Sequence, residues 1–212
     1  ILVGSSEQTH GKGTVQAILG LQDYLNPYFA KAIGPIGAMK ITTDMFYRVN
    51  GQSTQFRGVK PDIALPDQFG YLESGEKHLD YAIPYAEIAK VPYKLWTKQK
   101  YDVESLKKKS SARVAKNTKF QKILKSVKWS KERKDDTKRV ITLEAIKKFR
   151  TEATGISDKY KTDEISKKVS VQSISKLKND VEKERFKEFQ EELQKDPVIE
   201  ESLHIFNDMF KS

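Results

Sequence analysis

Short runs of apolar and β-branched residues, separated by loops that contain glycine, characterise the first 70 residues of the chain. Brief apolar or alternating runs bounded by glycine are typical of β-strands rather than of helices. The pattern predicts that this region forms part of a mixed sheet. Its expected strands are Ile1 to Val3, Thr14 to Leu19, Met39 to Thr42 and Phe46 to Val49.

A tight reversal is expected at Asn50-Gly51, directly after the last of these strands. Asn-Gly tolerates the positive φ angles that narrow turns require. The run that follows, residues 52–56, is too polar to be a buried partner strand. We therefore expect a hairpin on the surface.

Residues 71–97 are rich in aromatic residues, and Pro84 and Pro92 interrupt them. Because proline cannot continue a helix, each limits any helix here to a few turns. This segment is expected to be a connector that packs on the sheet.

Apolar residues recur at helical spacing beyond residue 98. Thr142 is a suitable N-cap for one helix, and Asp196 followed by Pro197 is a suitable start for another. The pattern predicts several helices, the last two antiparallel. The periodic positions are Phe120, Ile123, Leu124 and Val127; Leu143, Ile146 and Phe149; Leu177, Val181, Phe189 and Leu193; and Ile199, Leu203, Phe206 and Phe210.

A sheet region followed by a mainly helical region predicts the α+β class. The chain has 212 residues with 37% hydrophobic content, enough for a modest core. It begins at Ile1, within an apolar run, so we expect it to be a fragment of a longer protein.

The composition narrows the possible chemistry. With no cysteine, the sequence offers neither a disulfide, nor a thiolate zinc site, nor a thiol nucleophile. Its three histidines, His10, His78 and His204, are too far apart for a helical metal motif. We expect neither a metal nor a cofactor.

The net charge of +10 comes from residues 98–150, which contain 19 Lys and Arg against 6 Asp and Glu. A cationic helical face suits nucleic acid, an anionic membrane surface or an acidic protein, but it is also typical of a solvated helix. Fifteen of these cations are lysines, whereas specific nucleic-acid recognition favours arginine with exposed aromatic residues. No specific nucleic-acid partner is expected.

The loop Gly11-Lys12-Gly13 is the most informative motif. It is not a P-loop, because six residues separate Gly4 from the Gly-Lys pair and Gly13 stands where the magnesium-binding hydroxyl is needed. Glycines on both sides can instead bring the lysine close to packed backbone, where loss of water favours the neutral amine, a general base. Gln16, four positions later, falls on the same side of an extended strand and can orient the amine. A solvent-facing lysine in a tight loop is the alternative.

Several ordered blocks of the sequence resemble the tail-specific, or C-terminal processing, proteases. They are Gly11 to Gln16, Lys40 to Thr42, Phe46 to Gly51, Ser53 to Gln55 and Arg57 to Pro66. Ser74 to Glu76 and Ala82 to Tyr85 are similar to the start of the family's C-terminal extension, and the helical remainder is similar more loosely.

The resemblance implies a serine endopeptidase with a Ser-Lys dyad, in which Lys12 is the general base and Gln16 positions it. The nucleophilic serine of the family lies about two dozen residues before the lysine, upstream of Ile1, and the PDZ-like domain has no counterpart here. Ser5 and Ser6 lie in the wrong part of the motif to be the nucleophile and are interpreted as loop residues. His10 is interpreted as a packing or surface residue. The isolated chain is therefore expected to be inactive.

The resemblance further implies three segments: residues 1–70 as the C-terminal portion of the peptidase core, 71–97 as the connector, and 98–212 as a helical C-terminal extension. It implies polypeptide substrates, the upstream catalytic and PDZ segments as partners, and a periplasmic, extracytoplasmic setting. The competing hypothesis is a non-catalytic basic helical module that binds a protein or an anionic partner. The helical region also offers a surface for self-association.

Overall fold

The computed structural model describes residues 1–94, 101–138 and 140–211. Residues 95–97 of the expected connector, and 98–100, 139 and 212 of the expected helical extension, lie outside the described residues. The α+β class is confirmed. The strands are β1 Val3–Gly4, β2 Thr14–Gly20, β3 Ala38–Met45 and β4 Ile63–Ala64, and the helices are α1 Pro27–Ile33, α2 Val103–Lys116, α3 Thr118–Asp135, α4 Leu143–Lys159, α5 Asp180–Lys195 and α6 Pro197–Phe210.

The chain divides into two compact units, and each unit combines separate stretches of sequence. Unit 1 comprises Ile1–Glu7, Pro61–Glu73 and Lys98–Ser212, and unit 2 comprises Gln8–Lys60 and Ser74–Thr97. Unit 1 therefore contains β1, β4 and helices α2 to α6. Unit 2 contains β2, α1 and β3.

Strands β2 and β3 of unit 2 pair antiparallel, from Thr14 opposite Met45 to Gly20 opposite Ala38. Both strands were predicted, and β3 is longer than expected. The register shifts between Val15 and Gln16, which marks a β-bulge near the start of β2. A bulge interrupts the alternation of side chains between the two faces of a strand.

The reversal predicted at Asn50-Gly51 is confirmed. Gly51 adopts a φ of +84°, and its N–H donates to the carbonyl of Arg48 at 2.8 Å. The strand predicted at Phe46 to Val49 is wrong, since the pairing there is reduced to one isolated bridge between Tyr47 and Ser53. The turn follows so closely that no ladder develops.

The surface location predicted for residues 52–56 is also wrong, because Ser53 and Gln55 are buried. The segment 86–91 covers this hairpin, and the N–H of Ile88 donates to the carbonyl of Gly51 at 2.9 Å. Buried polar side chains are tolerated where hydrogen bonds satisfy them. Ser53 meets this condition by accepting from the backbone N–H of Gln55 at 2.9 Å.

Unit 1 is built around one hydrophobic core that joins helices to a short parallel strand pair. β1 and β4 pair in parallel, with Val3 opposite Ile63. Strand β4 was not predicted, because two residues are too few to show a periodic pattern. The buried core residues are Ile63, Leu65, Leu106, Phe120, Ile123 and Ile205.

The predicted helix starts are confirmed by their caps. Thr142 accepts a hydrogen bond from the N–H of Ala145 at the start of α4. Asp196 accepts from the N–H of Val198, with Pro197 at the first position of α6. Since a side-chain cap satisfies an otherwise unpaired helical N–H, these residues fix where each helix begins.

Charged side chains tie the helices of unit 1 together. Arg113 on α2 bonds to Glu201 at 2.7 Å and to Asp208 at 2.6 Å, both on α6. Burial alone would raise the pKa of Glu200, but bonds from Ser166 and Lys168 hold that pKa below its ordinary value. Such pairs add little net stability, because taking the charges out of water offsets their attraction. Among the described residues, no helix has the length and apolar character needed to cross a bilayer.

Candidate active site

The Gly11-Lys12-Gly13 loop lies against the backbone of residues 53–56 within unit 2. The N–H of Phe56 donates to the carbonyl of Gly11 at 2.6 Å, and the N–H of Gly13 donates to Oε1 of Gln55 at 2.7 Å. Gly11 adopts a φ of +87°. A Cβ at Gly13 would overlap the backbone nitrogen of Gln55 and lie 2.9 Å from its Cα. Both glycines are therefore needed for this close approach of backbone to backbone.

The side chain of Lys12 leaves this packed backbone and remains 39% exposed. Its Nζ donates to Oγ1 of Thr14 at 2.8 Å and lies 3.8 Å from Oε1 of Glu76. The described residues thus fix the direction of the amine without enclosing it. Fuller removal of water from Nζ requires a further segment over the loop.

Gln16 lies near Lys12 in sequence, but its amide makes a different contact. Its Nε2 donates to Oγ1 of Thr42 on β3 at 3.4 Å. The described hydrogen bonds do not join Lys12 and Gln16 to each other. Lys12 precedes the start of β2, and the bulge between Val15 and Gln16 disrupts the alternation on which their shared face was predicted.

Glu76 lies beside Lys12 in the structure, and nothing in the sequence indicated that it belongs to the site. The side chain of Glu76 is 10% exposed, and its Oε2 lies 3.7 Å from Nε2 of His10. The backbone N–H of Glu76 donates to the carbonyl of His10 at 2.7 Å. His10, 59% exposed at its side chain, therefore has a carboxylate partner that neither of its sequence neighbours could provide.

Gln55, which is fully buried, connects the loop to this carboxylate. While its Oε1 accepts from Gly13, its Nε2 donates to Oε1 of Glu76 at 3.2 Å and to the carbonyl of Ile83 at 3.0 Å. Both polar ends of the amide are thus satisfied. The sequence feature that bears on the burial of Gln55 is the polar run 52–56, and polarity alone predicts a surface location rather than a buried amide.

The Lys12 amine and the His10 imidazole both lie within ion-pair distance of the Glu76 carboxylate, to which the buried Gln55 amide donates. Such a cluster can hold and exchange protons, which is the chemistry of a general base. The described residues contain no group of three or more His, Cys, Asp or Glu side chains arranged to hold a metal ion.

Comparison with known proteins defines the family. The family described as the C-terminal domain of tail specific protease matches residues 69–211, more than half of the chain. The chain belongs to the tail-specific protease family. The matched range includes Glu76 and helices α2 to α6, whereas Lys12 lies before it.

The tail-specific protease of Haemophilus influenzae is 35% identical to this chain over 138 residues. The alignment covers 64% of this chain and 19% of the relative. The chain thus spans about a fifth of the length of that tail-specific protease. The resemblance seen in the sequence is confirmed.

Proposed function

We propose that this chain is the C-terminal part of a tail-specific endopeptidase with a Ser-Lys dyad, in which Lys12 is the general base. The observation that supports this most is the packing of Gly11 and Gly13 against residues 53–56, which projects the Lys12 amine in a defined direction. A lysine held by packed backbone is better suited to proton transfer than one on a free loop.

In the proposed reaction, the neutral Lys12 amine removes the proton from the serine hydroxyl as its oxygen attacks the peptide carbonyl. The tetrahedral intermediate then collapses, the C–N bond breaks, and the lysine ammonium protonates the departing amine. Water releases the acyl group in a second round with the same base. Gln16 is proposed to position Lys12 in the full-length parent, although in this chain its Nε2 donates to Oγ1 of Thr42 instead. No metal or cofactor is proposed to take part.

The nucleophilic serine and the oxyanion donors are expected from a segment outside this sequence. The same segment has to cover the Lys12 amine, since the described residues leave the side chain 39% exposed. Polypeptides are the proposed substrates, and the upstream catalytic and PDZ segments are the proposed partners. An extracytoplasmic, periplasmic setting is proposed on the family resemblance.

The isolated chain is expected to cleave no peptide bond, because a base without a nucleophile or oxyanion donors cannot form an acyl-enzyme. The test compares the purified chain with the full-length parent on an unfolded protein substrate, with products identified by mass spectrometry. Cleavage by the parent alone agrees with the proposal. Cleavage by the isolated chain would show that its chemistry does not depend on an upstream serine.

A second candidate function is binding of an anionic partner by the basic helical region. A groove of about 580 Å³ lies between the C-terminal end of α3 and the first half of α4. Its lining combines exposed aliphatic side chains, including Ile141 and Val140, with the cations Arg133, Lys148 and Arg150. The lining also includes Lys138 and two acidic residues, Asp136 and Glu152, and Glu152 lies 3.8 Å from Arg133. Four cations against two carboxylates, beside exposed aliphatic side chains, favour an acidic partner with apolar side chains.

Retention of the chain on heparin, a polyanion, tests this candidate. We expect retention to weaken steeply with salt and to weaken further in the double variant Lys148→Ala/Arg150→Ala, because cation contacts release counterions. The double variant Arg185→Ala/Lys187→Ala removes one arginine and one lysine from α5 and is the matched control. Equal elution of the groove and control variants would indicate general surface charge rather than a binding groove.

A further inference from the structure

Glu76 is a buried acid that the proposed reaction does not yet use. Gln55 donates a hydrogen bond to Oε1 of its carboxylate at 3.2 Å, and two further groups lie at ion-pair distance: Lys12 Nζ is 3.8 Å from Oε1 and His10 Nε2 is 3.7 Å from Oε2. Its backbone is fixed as well, by the bond from its N–H to the carbonyl of His10. The carboxylate therefore has little freedom to move away from the amine.

A fixed negative charge acts on the protonation of the neighbouring base. An opposite charge at this distance favours the ammonium form of lysine, and the effect strengthens where solvent is partly excluded. Among the described residues, Lys12 and His10 are the titratable groups within ion-pair distance of the carboxylate, while Gln55 is uncharged.

We propose that Glu76 is a positioning residue for the base: its buried carboxylate, held by Gln55, directs the Lys12 amine and sets the pH at which that amine loses its proton. This inference rests on the proposed function of Lys12. The carboxylate touches the base rather than the substrate, so it tunes the reaction without entering it.

The effect of Glu76 on the protonation of Lys12 can be measured in this chain alone, from the pH dependence of Lys12 acetylation. Wild type, Glu76→Gln and a control, Glu184→Gln on α5, are treated briefly with an acetylating reagent between pH 7 and 11. Mass spectrometry then gives the acetylation of Lys12 relative to Lys31, an exposed lysine on α1. We expect the midpoint of Lys12 reactivity to fall by about half a pH unit or more in Glu76→Gln and to stay constant in Glu184→Gln.

A midpoint that is the same in wild type and Glu76→Gln would overturn the inference. If Glu76→Gln does not fold, Glu76→Asp is the test variant. It keeps the buried negative charge but moves the carboxylate away from the Lys12 amine by one methylene group. We then expect a smaller shift to lower pH, and an unchanged midpoint contradicts the proposal. A change in accessibility alone would alter the amount of acetylation but not its midpoint.

The full-length parent shows whether the same effect reaches catalysis. In Glu76→Gln, the acidic limb of kcat/KM is expected to move to lower pH, while KM stays within about twofold because the residue does not contact substrate. A limb that does not move overturns the catalytic part of the inference. The Lys12→Ala parent tests the proposed function separately: if it retains turnover, that function fails, whereas the acetylation midpoints still determine whether Glu76 controls the amine.

Discussion

The variant Lys12→Ala is expected to lower kcat/KM of the full-length parent by on the order of 10⁴-fold, because loss of one member of a nucleophile–base pair removes most of the catalysis. The methyl side chain of alanine cannot accept the proton of the serine hydroxyl. The loss should appear in kcat rather than in KM, since Lys12 acts on the nucleophile and not on substrate binding. Steady-state cleavage of an unfolded protein or a fluorogenic peptide measures it.

Stability should change little in Lys12→Ala, because the side chain is 39% exposed and Gln55 still donates to the carboxylate of Glu76 at 3.2 Å. The matched control is Lys187→Ala on α5, which should retain full activity. Thermal unfolding and circular dichroism establish that both variants are folded. Turnover within about tenfold of wild type would exclude Lys12 as the base.

The second large effect is expected for Gly13→Ala. The added Cβ would overlap the backbone nitrogen of Gln55, so the loop and residues 53–56 must separate. We expect the free energy of local opening in unit 2 to fall by about 2 kcal/mol or more, as overpacking against rigid backbone does. Amide hydrogen exchange at Phe46 and Phe56 reports this directly, because their N–H groups donate to the carbonyls of Gly13 and Gly11.

Gly155→Ala provides the matched control. Gly155 lies inside α4, and an added Cβ there meets no heavy atom within 4 Å. The same chemical change should therefore stabilise the helix by about 0.5–1 kcal/mol, since alanine loses less backbone entropy than glycine. In the parent, Gly13→Ala should also lower activity, whereas Gly155→Ala should not. Unchanged exchange at Phe46 and Phe56 in Gly13→Ala would contradict the described packing of the loop.

Local signals allowed much of the fold to be predicted. Thr142 and Asp196 identified the starts of α4 and α6, because a capping side chain acts on N–H groups only two or three positions away. The short run of β-branched and apolar residues from Thr14 to Leu19, bounded by Gly13 and Gly20, identified β2. These elements are specified by residues close together in the sequence, so no knowledge of tertiary packing was needed.

Burial of polar residues could not be predicted in this way. Gln55 is fully buried because Gly13, Glu76 and Ile83, which are distant in sequence, together satisfy its amide. Composition alone placed its segment on the surface. Strand β4 was missed for a related reason, since its two residues are defined by pairing with β1 rather than by a pattern of their own.

At the candidate site, too, the features set by neighbouring residues could be predicted and those set by distant residues could not. The two glycines beside Lys12 indicated a close backbone approach, and the structure has that approach. The partner of the amine, Glu76, is 64 positions away in sequence, and its role depends on the fold that brings it to Lys12 and His10. The shared face predicted for Lys12 and Gln16 assumed a regular strand, which the bulge after Val15 does not provide.

The most direct measurement is chemical rescue of the base in the full-length parent. This chain contains no cysteine, so within it Lys12→Cys introduces a single thiol, and any cysteine in the upstream segment of the parent is first replaced by serine. Alkylation with bromoethylamine then yields a lysine analogue in which sulfur replaces one methylene group. Sulfur withdraws electrons and makes the amine less basic. If the neutral amine at position 12 is the base, alkylation should restore turnover and move the acidic limb of kcat/KM to lower pH than in the wild type. Alkylated protein that is folded but inactive, or whose limb coincides with that of the wild type, would contradict the assignment.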